Sequence, residues 1–322
     1  MKRSGRPWSR LLRRFRIHRD REDDAVELAP ECVPVVFRDD LLDAIQDIED
    51  LYRSQGRLGC LTTGFPDFDR LTGGPRAGEM IVIASAPGMG KTVLALNMAA
   101  HVAVELSQPV AIFSLEASRR ELAQRLLCSQ SGVPMARVRS GALSPSRDLP
   151  RLQRAAARMA ESVIHVEDPV CLSVSDLRSR LRELTESKGL RLAIVDSLQW
   201  LAGRESVEAA ARELKQCARE LGIVILVMAQ LDPPPVDREW GRPSPAELGS
   251  CRAVEQLADV VALLWRQDYF GALPEDYDAD FSRASLIVVK NRHGALGEVP
   301  LLFRKEVPRF ENRALESLPT EI

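Results

Sequence analysis

Eight consecutive residues, Ser85-Ala86-Pro87-Gly88-Met89-Gly90-Lys91-Thr92, have the types and spacing of a loop that grips phosphates. The pattern approaches G-x-x-x-x-G-K-[ST]. In such a loop, backbone N–H groups cradle the phosphates, the lysine reaches the β- and γ-phosphates and the hydroxyl ligates Mg²⁺. Gly90, Lys91 and Thr92 fit, and Ser85 stands where the first glycine belongs. That glycine helps the turn but supplies no side-chain chemistry, so its replacement weakens the match without removing it. Ala86, Pro87, Gly88, Met89 and Gly90 are expected to wrap the phosphates of ATP, with Mg²⁺ held beside Thr92.

Five further positions bear on the same chemistry. Asp196 closes the apolar run LAIVDS and is placed to hold Mg²⁺, directly or through water. Glu116 ends FSLE, where a carboxylate can orient and polarise an attacking water. Taken alone it is also what a solvated strand end looks like. Gln230 ends VMAQ, and an amide there can sense a γ-phosphate. Lys290 and Arg292 lie two apart in VVKNRHG, a spacing that puts both on one side of a strand. They read either as two exposed charges or as a finger inserted into a neighbour's ATP site.

The elements that must position these residues follow a regular plan from Gly56 onward. Short apolar runs at 80–85, 109–116, 163–168, 192–197, 222–230 and 259–266 alternate with helical stretches, among them 92–106, 119–129, 175–187 and 208–221. Most of the runs are continuously apolar, the mark of parallel strands covered on both faces. The layout predicts a doubly wound α/β domain. SLIVVK and EVPLLF, joined by NRHGALG, predict a C-terminal hairpin. The phosphate loop directly follows a predicted strand and directly precedes a predicted helix, the context that such a loop requires.

The chain has 322 residues, 45% hydrophobic and 28% charged, enough for a packed core. No apolar run has the length of a membrane span, and the start has no long apolar stretch of a secretory signal. The six cysteines are scattered without a C-x-x-C pair. That argues against zinc and a disulfide framework and suits a reducing cytoplasm. The formal charge of −2 hides an asymmetry. In residues 1–21, nine Lys and Arg oppose Asp20 alone, a local +8 that leaves −10 on the rest. Trp8, Leu11, Leu12 and Phe15 in this arm follow helical spacing, so residues 1–24 read as a basic arm that is either an amphipathic helix or disordered. Residues 25–55 read as a linker with a helix at about 39–53, whose stripe of Leu41, Leu42, Ile45, Ile48, Leu51 and Tyr52 needs a surface to bury against. Residues 56–322 form the predicted ATPase domain.

These motifs resemble the C-terminal ATPase domain of DnaB-type replicative helicases, a RecA-like fold. The resemblance rests on LTTGFPDFDRLTGG (61–74), SAPGMGKTVLALNMA (85–99), PVAIFSLEAS (109–118) and IVDSLQ (194–199), and continues in MAQL (228–231), AVEQLADVV (253–261) and VVKNRHG (288–294). It covers nearly all of residues 56–312. That family also replaces the first glycine of the loop, which accounts for Ser85. The resemblance implies that Lys91 and Thr92 are the phosphate-loop pair, Glu116 the catalytic glutamate and Arg125 an arginine packed on the adenine. It likewise implies that Asp196 is the Mg²⁺-holding acid and Gln230 the γ-phosphate sensor. Lys290 and Arg292 become the pair acting across a subunit interface. It further implies a homohexameric ring that pulls single-stranded DNA through its centre, and a linker helix docked on the adjacent subunit. A primase or loader partner is left open.

Three features depart from the family pattern. The basic arm and linker stand in place of a helical collar domain. The stretch after Asp196, Trp200–Glu208, looks shortened. The family's DNA-gripping loop reads Arg-Glu-Ser-Gly where this chain has Gly249-Ser250-Cys251-Arg252, so the arginine has moved by three positions. The expectation is therefore an ATP-driven helicase or translocase. The alternative is a ring ATPase of the same core, as in RadA-type and KaiC-type proteins, acting on a partner without unwinding DNA.

Overall fold

The computed structural model describes residues 60–203, 206–233, 241–269 and 280–313, together with Leu41, Ile45, Ile48 and Glu49. The basic arm lies outside the described residues. Of the expected linker helix only those four positions are described; all are helical, and the three apolar ones are exposed.

From Arg57 onward the chain forms one unit built on a single sheet. The strands are β1 (Met80–Ser85), β2 (Val110–Ser114), β3 (Ile164–Glu167), β4 (Leu192–Asp196), β5 (Val224–Gln230), β6 (Val260–Arg266), β7 (Phe281–Asn291), β8 (Gly297–Arg304) and β9 (Arg309–Asn312). Their order is β3-β2-β4-β5-β1-β6-β7-β8-β9. The pairs from β3 to β6 are parallel, and β6-β7-β8-β9 are antiparallel. The RecA-like α/β expectation and the C-terminal hairpin are both present.

The continuously apolar runs are explained by helices on both faces. Residues of β1 alternate between two cores. Ile81 and Ile83 pack with Leu94, Met98 and Leu122 on one face; Met80, Val82 and Ala84 pack with Leu177, Leu181 and Leu214 on the other. The first face is covered by α1 (Pro66–Thr72), α2 (Lys91–Ala100) and α3 (Arg119–Ser131). Two further helices follow, α4 (Met135–Ser140) and α5 (Asp148–Ala160). The second face is covered by α6 (Val174–Lys188), α7 (Leu198–Ala202), α8 (Val207–Leu221) and α9 (Arg252–Leu257). Sequence punctuation sets the ends of the long helices. Ser118, Ser173 and Ser206 each accept a backbone N–H three residues on, and Gly132, Gly189 and Gly222 close the far ends in the left-handed conformation.

One strand differs from its reading. VIHVED is a parallel strand, but β3 lies at the sheet edge and all four of its residues are only half-buried. Hydropathy reports that a run is apolar, not how many neighbours the strand order gives it.

Candidate nucleotide site

The register of the parallel strands lines up their carboxyl ends. Ser85 of β1 lies opposite Gln230 of β5, and Ser114 of β2 lies opposite Asp196 of β4. Open α/β sheets bind ligands at this rim. A cleft of about 410 Å³ opens there, and Lys91, Thr92, Glu116, Arg125 and Gln230 all face it together with Pro87, Gly88 and Gly90.

The loop is shaped by two glycines. Gly88 has φ 76° and Gly90 φ 98°, the left-handed region that favours glycine. A Cβ at Gly88 would also overlap the Tyr269 hydroxyl. Ala86 and Met89 turn their side chains into the core, so only their backbone is offered to a ligand. Ser85 is fully buried and donates its hydroxyl to Ala86 O at 2.9 Å, which is how a serine is accommodated at the first position. Gly90 supplies no side-chain cap to α2, so the first-turn amides and the positive end of the helix dipole suit an anion.

Lys91 is buried and donates to Ser85 O and Ala86 O at 3.3 and 3.4 Å. Burial lowers its pKa, and the nearby carboxylates of Glu116 and Asp196 partly offset that. Thr92 donates its hydroxyl to Asp196 Oδ2 at 2.6 Å. Asp196 is 2% exposed, and burial raises its pKa against the pull of the Thr92 hydroxyl. Its second oxygen, Oδ1, is buried and has no hydrogen-bond partner among the described residues. A buried carboxylate oxygen left in this condition costs free energy unless something neutralises it. A hard cation with oxygen ligands fits this donor set. Among the described residues no cluster of three or more acidic, His or Cys side chains is found.

Glu116 sits two residues beyond the end of β2 and accepts the Ser197 hydroxyl at 2.7 Å. Arg125, on α3, lines the cleft and donates to Glu121 Oε1 at 2.6 Å. Gln230 is held by Gln199, whose side chain donates to Gln230 O at 2.7 Å and accepts from Gln230 N at 3.1 Å. Sequence reasoning misses Ser197 and Gln199, although they lie one and three residues after Asp196 in DSLQ. The same holds for Arg266 and Phe303, which form one wall with the guanidinium 4.0 Å from the ring centre.

Lys290 and Arg292 are not in this cleft. Lys290 lies within β7 and donates to Glu255 O and, at 3.0 Å, to Gln256 O, carbonyls near the end of α9. Arg292 bonds Asp259, through Nη1 to Oδ1 at 3.2 Å and through its backbone N–H to Asp259 O at 2.8 Å. Asp259 in turn bonds Met80, the first residue of β1. The phosphate loop begins at the other end of that strand. Five steps at about 3.3 Å per residue separate the two ends by about 16 Å, farther than an arginine side chain spans.

The altered loop has a physical account. Residues Pro245–Cys251 form a 3-10 stretch interrupted at Gly249, whose φ of 45° and ψ of −113° are not helical. A Cβ there would overlap the Asp232 carboxylate. A side chain at 249 would have to displace the Asp232 carboxylate and take a left-handed backbone; the arginine of this stretch, Arg252, stands at the exposed first position of α9.

Comparison with known proteins places this arrangement. Residues 60–312 match the model of the DnaB-like helicase C terminal domain. The replicative DNA helicase DnaB of Geobacillus stearothermophilus is 33% identical over 284 residues, covering 86% of this chain and 62% of that protein. The replicative DNA helicase DnaC of Bacillus subtilis is 33% identical over 314 residues, covering 91% and 68%. A solved structure of an isolated ATPase domain superposes with a TM-score of 0.76 at 28% identity, covering 87% of this chain and all of that one. A DnaB-like replicative helicase studied with primase superposes at 0.73 and 27%, covering 88% of this chain and 68% of that one. The chain thus spans about three fifths to two thirds of the curated relatives' length. Over that span it carries the relatives' nucleotide-binding ATPase domain, and the chain belongs to the family of the DnaB-like helicase C-terminal domain.

Proposed function

We propose that this chain is the motor of an ATP-driven DNA helicase, a ring of six copies that hydrolyses ATP between subunits and moves along single-stranded DNA. The observation that carries the reading is the division of its machinery: a phosphate cleft lined by Lys91, Thr92, Glu116 and Gln230, with Asp196 bonded to Thr92 beside it, at one end of β1, and Lys290 and Arg292 at the other. A basic pair that far from its own cleft serves phosphates only if a neighbour brings them.

In this reading the amides of residues 86–92 and Lys91 hold the β- and γ-phosphates. Arg125 packs on the adenine. Thr92 and Asp196 would hold Mg²⁺, which would supply charge neutralisation at the phosphates. Glu116, steadied by Ser197, accepts a proton from water as its oxygen bonds the γ-phosphorus and the bond to the ADP oxygen breaks. Gln230 contacts the γ-phosphate, and Gln199 carries the change to α7. Arg292 and Lys290 of the adjacent copy stabilise the charge that develops on the transferred group. The linker helix, with Leu41, Ile45 and Ile48 exposed, docks on that adjacent copy. The basic arm adds phosphate affinity that the acidic remainder lacks.

ATP turnover measured with and without single-stranded DNA, alongside displacement of a strand from a forked duplex, tests the proposal. Stimulation of about tenfold together with displacement supports it. Unchanged turnover and no displacement would favour a ring ATPase that works on a protein partner.

A further inference from the structure

We propose that Asp259, clamped by the buried Lys215, is the residue that positions Arg292 for the neighbouring subunit's ATP. This rests on the reading of Arg292 as a group acting across the interface.

Asp259 precedes β6 and is 2% exposed. Its Oδ2 accepts from Lys215 Nζ at 2.5 Å and from Met80 N at 2.8 Å, and its Oδ1 accepts from Arg292 Nη1 at 3.2 Å. Its backbone is tied on both sides, N–H to Met80 O at 2.9 Å and carbonyl from Arg292 N at 2.8 Å. Lys215 comes from the middle of α8, is itself buried, and spends a second hydrogen bond on Gly78 O at 2.8 Å. The cluster therefore joins α8, the start of β1, the start of β6 and the end of β7.

Charge balance separates a structural staple from a positioning device. A buried carboxylate needs one cation to offset its desolvation, and Lys215 is that cation. Arg292 is a second cation on the same carboxylate. Its side chain keeps 39% of its surface exposed, and Lys290 lies two residues away on the same strand end. Lys215 and Asp259 cancel, so the charge of Arg292 stays uncompensated and at the surface. Arginine carries substantial rotamer freedom, and its planar guanidinium is useful only when its direction is fixed. Two bonds to one buried, doubly anchored residue fix both its backbone and its direction. Pre-orientation of this kind favours the transition state and leaves ground-state binding of ATP in the chain's own cleft alone.

The test uses full-length chains and Asp259→Asn, which keeps the shape and removes the charge. Where that variant fails to fold, Asp259→Asn with Lys215→Met removes the stranded cation as well. The expected result is unchanged affinity of the chain's own cleft for a fluorescent ATP analogue. The kcat should fall at least about tenfold with KM little changed. Mixed with Glu116→Gln chains, the Asp259 variant should regain activity; mixed with Arg292→Ala chains, it should not, because both then lack the same contribution. Loss of nucleotide affinity, wild-type turnover, or recovery with Arg292→Ala would each overturn the assignment. The control mixture of Glu116→Gln with Arg292→Ala separates the two levels. If the control recovers activity and the Asp259→Asn mixture with Glu116→Gln does not, the positioning role fails alone. If the control does not recover, the trans reading of Arg292 fails and takes this inference with it.

Discussion

Asp196 and Asp259 are both buried carboxylates next to strands of the same sheet, each 2% exposed, yet they are held by opposite means. Asp259 is saturated: both its oxygens and both its backbone groups have partners. Asp196 has Thr92 on one oxygen and no partner on the other among the described residues. Burial alone does not separate a structural acid from one built to receive a ligand. For these two acids the partners differ where burial does not: an unpaired buried oxygen is costly, and the one on Asp196 belongs to a residue bonded to Thr92 of the cleft.

The largest test of this contrast is Lys91→Ala. It removes the cation beside the incomplete carboxylate and little of the core, so the fold should persist. Turnover should drop by about a thousandfold or more; retention of wild-type turnover would refute the phosphate-loop assignment. Arg292→Ala acts at the saturated end. It should lower turnover of assembled chains by about a hundredfold or more, yet leave the nucleotide Kd of dilute, unassembled chains within about twofold. A matching loss of affinity in dilute chains would place Arg292 in its own subunit's cleft and erase the difference between the ends.

Two smaller effects sharpen the picture. Gln199→Ala unties the backbone of Gln230 and removes none of the residues assigned to phosphate, metal or water. Turnover should fall by about tenfold, and any stimulation by single-stranded DNA should fall further, since the clamp joins the cleft to α7. Equal losses with and without DNA would reduce Gln199 to a local support. Deleting residues 1–21 should leave DNA-independent hydrolysis unchanged and flatten the salt dependence of DNA binding. The log–log slope should fall by about 0.7 for every single-strand phosphate that the arm no longer neutralises. An unchanged slope would exclude the arm as a DNA anchor.

The incomplete end is legible in the sequence to a degree that the saturated end is not. Lys91, Thr92, Asp196 and Gln230 stand at the ends of apolar runs or in a loop of fixed spacing, and parallel register then gathers them. Glu116 is found the same way, although the strand stops two residues earlier. Ser197 and Gln199 escape such a reading because their bonds run to distant parts of the chain, to Glu116 beyond β2 and to Gln230 of β5, and nothing local marks them. Lys290 and Arg292 are legible as a pair. Their anchors are not: Lys215 lies in the middle of an amphipathic helix, where a lysine normally faces water, and Asp259 follows a helix as an ordinary turn acid would. Only the antiparallel pairing of β6 with β7, which sets Val261 opposite Lys290, brings that end together.

The separation of the two ends along β1 also sets a rule of counting. On the proposed division, a lone chain owns half of each of two catalytic centres and completes neither. An open arc of copies completes one centre fewer than it has members, and closing the arc adds the last one without adding a chain. Specific activity then reports topology. It should climb with concentration more steeply than chain number and level off once arcs have closed, so opening a ring onto a strand costs one active centre for as long as the gap lasts.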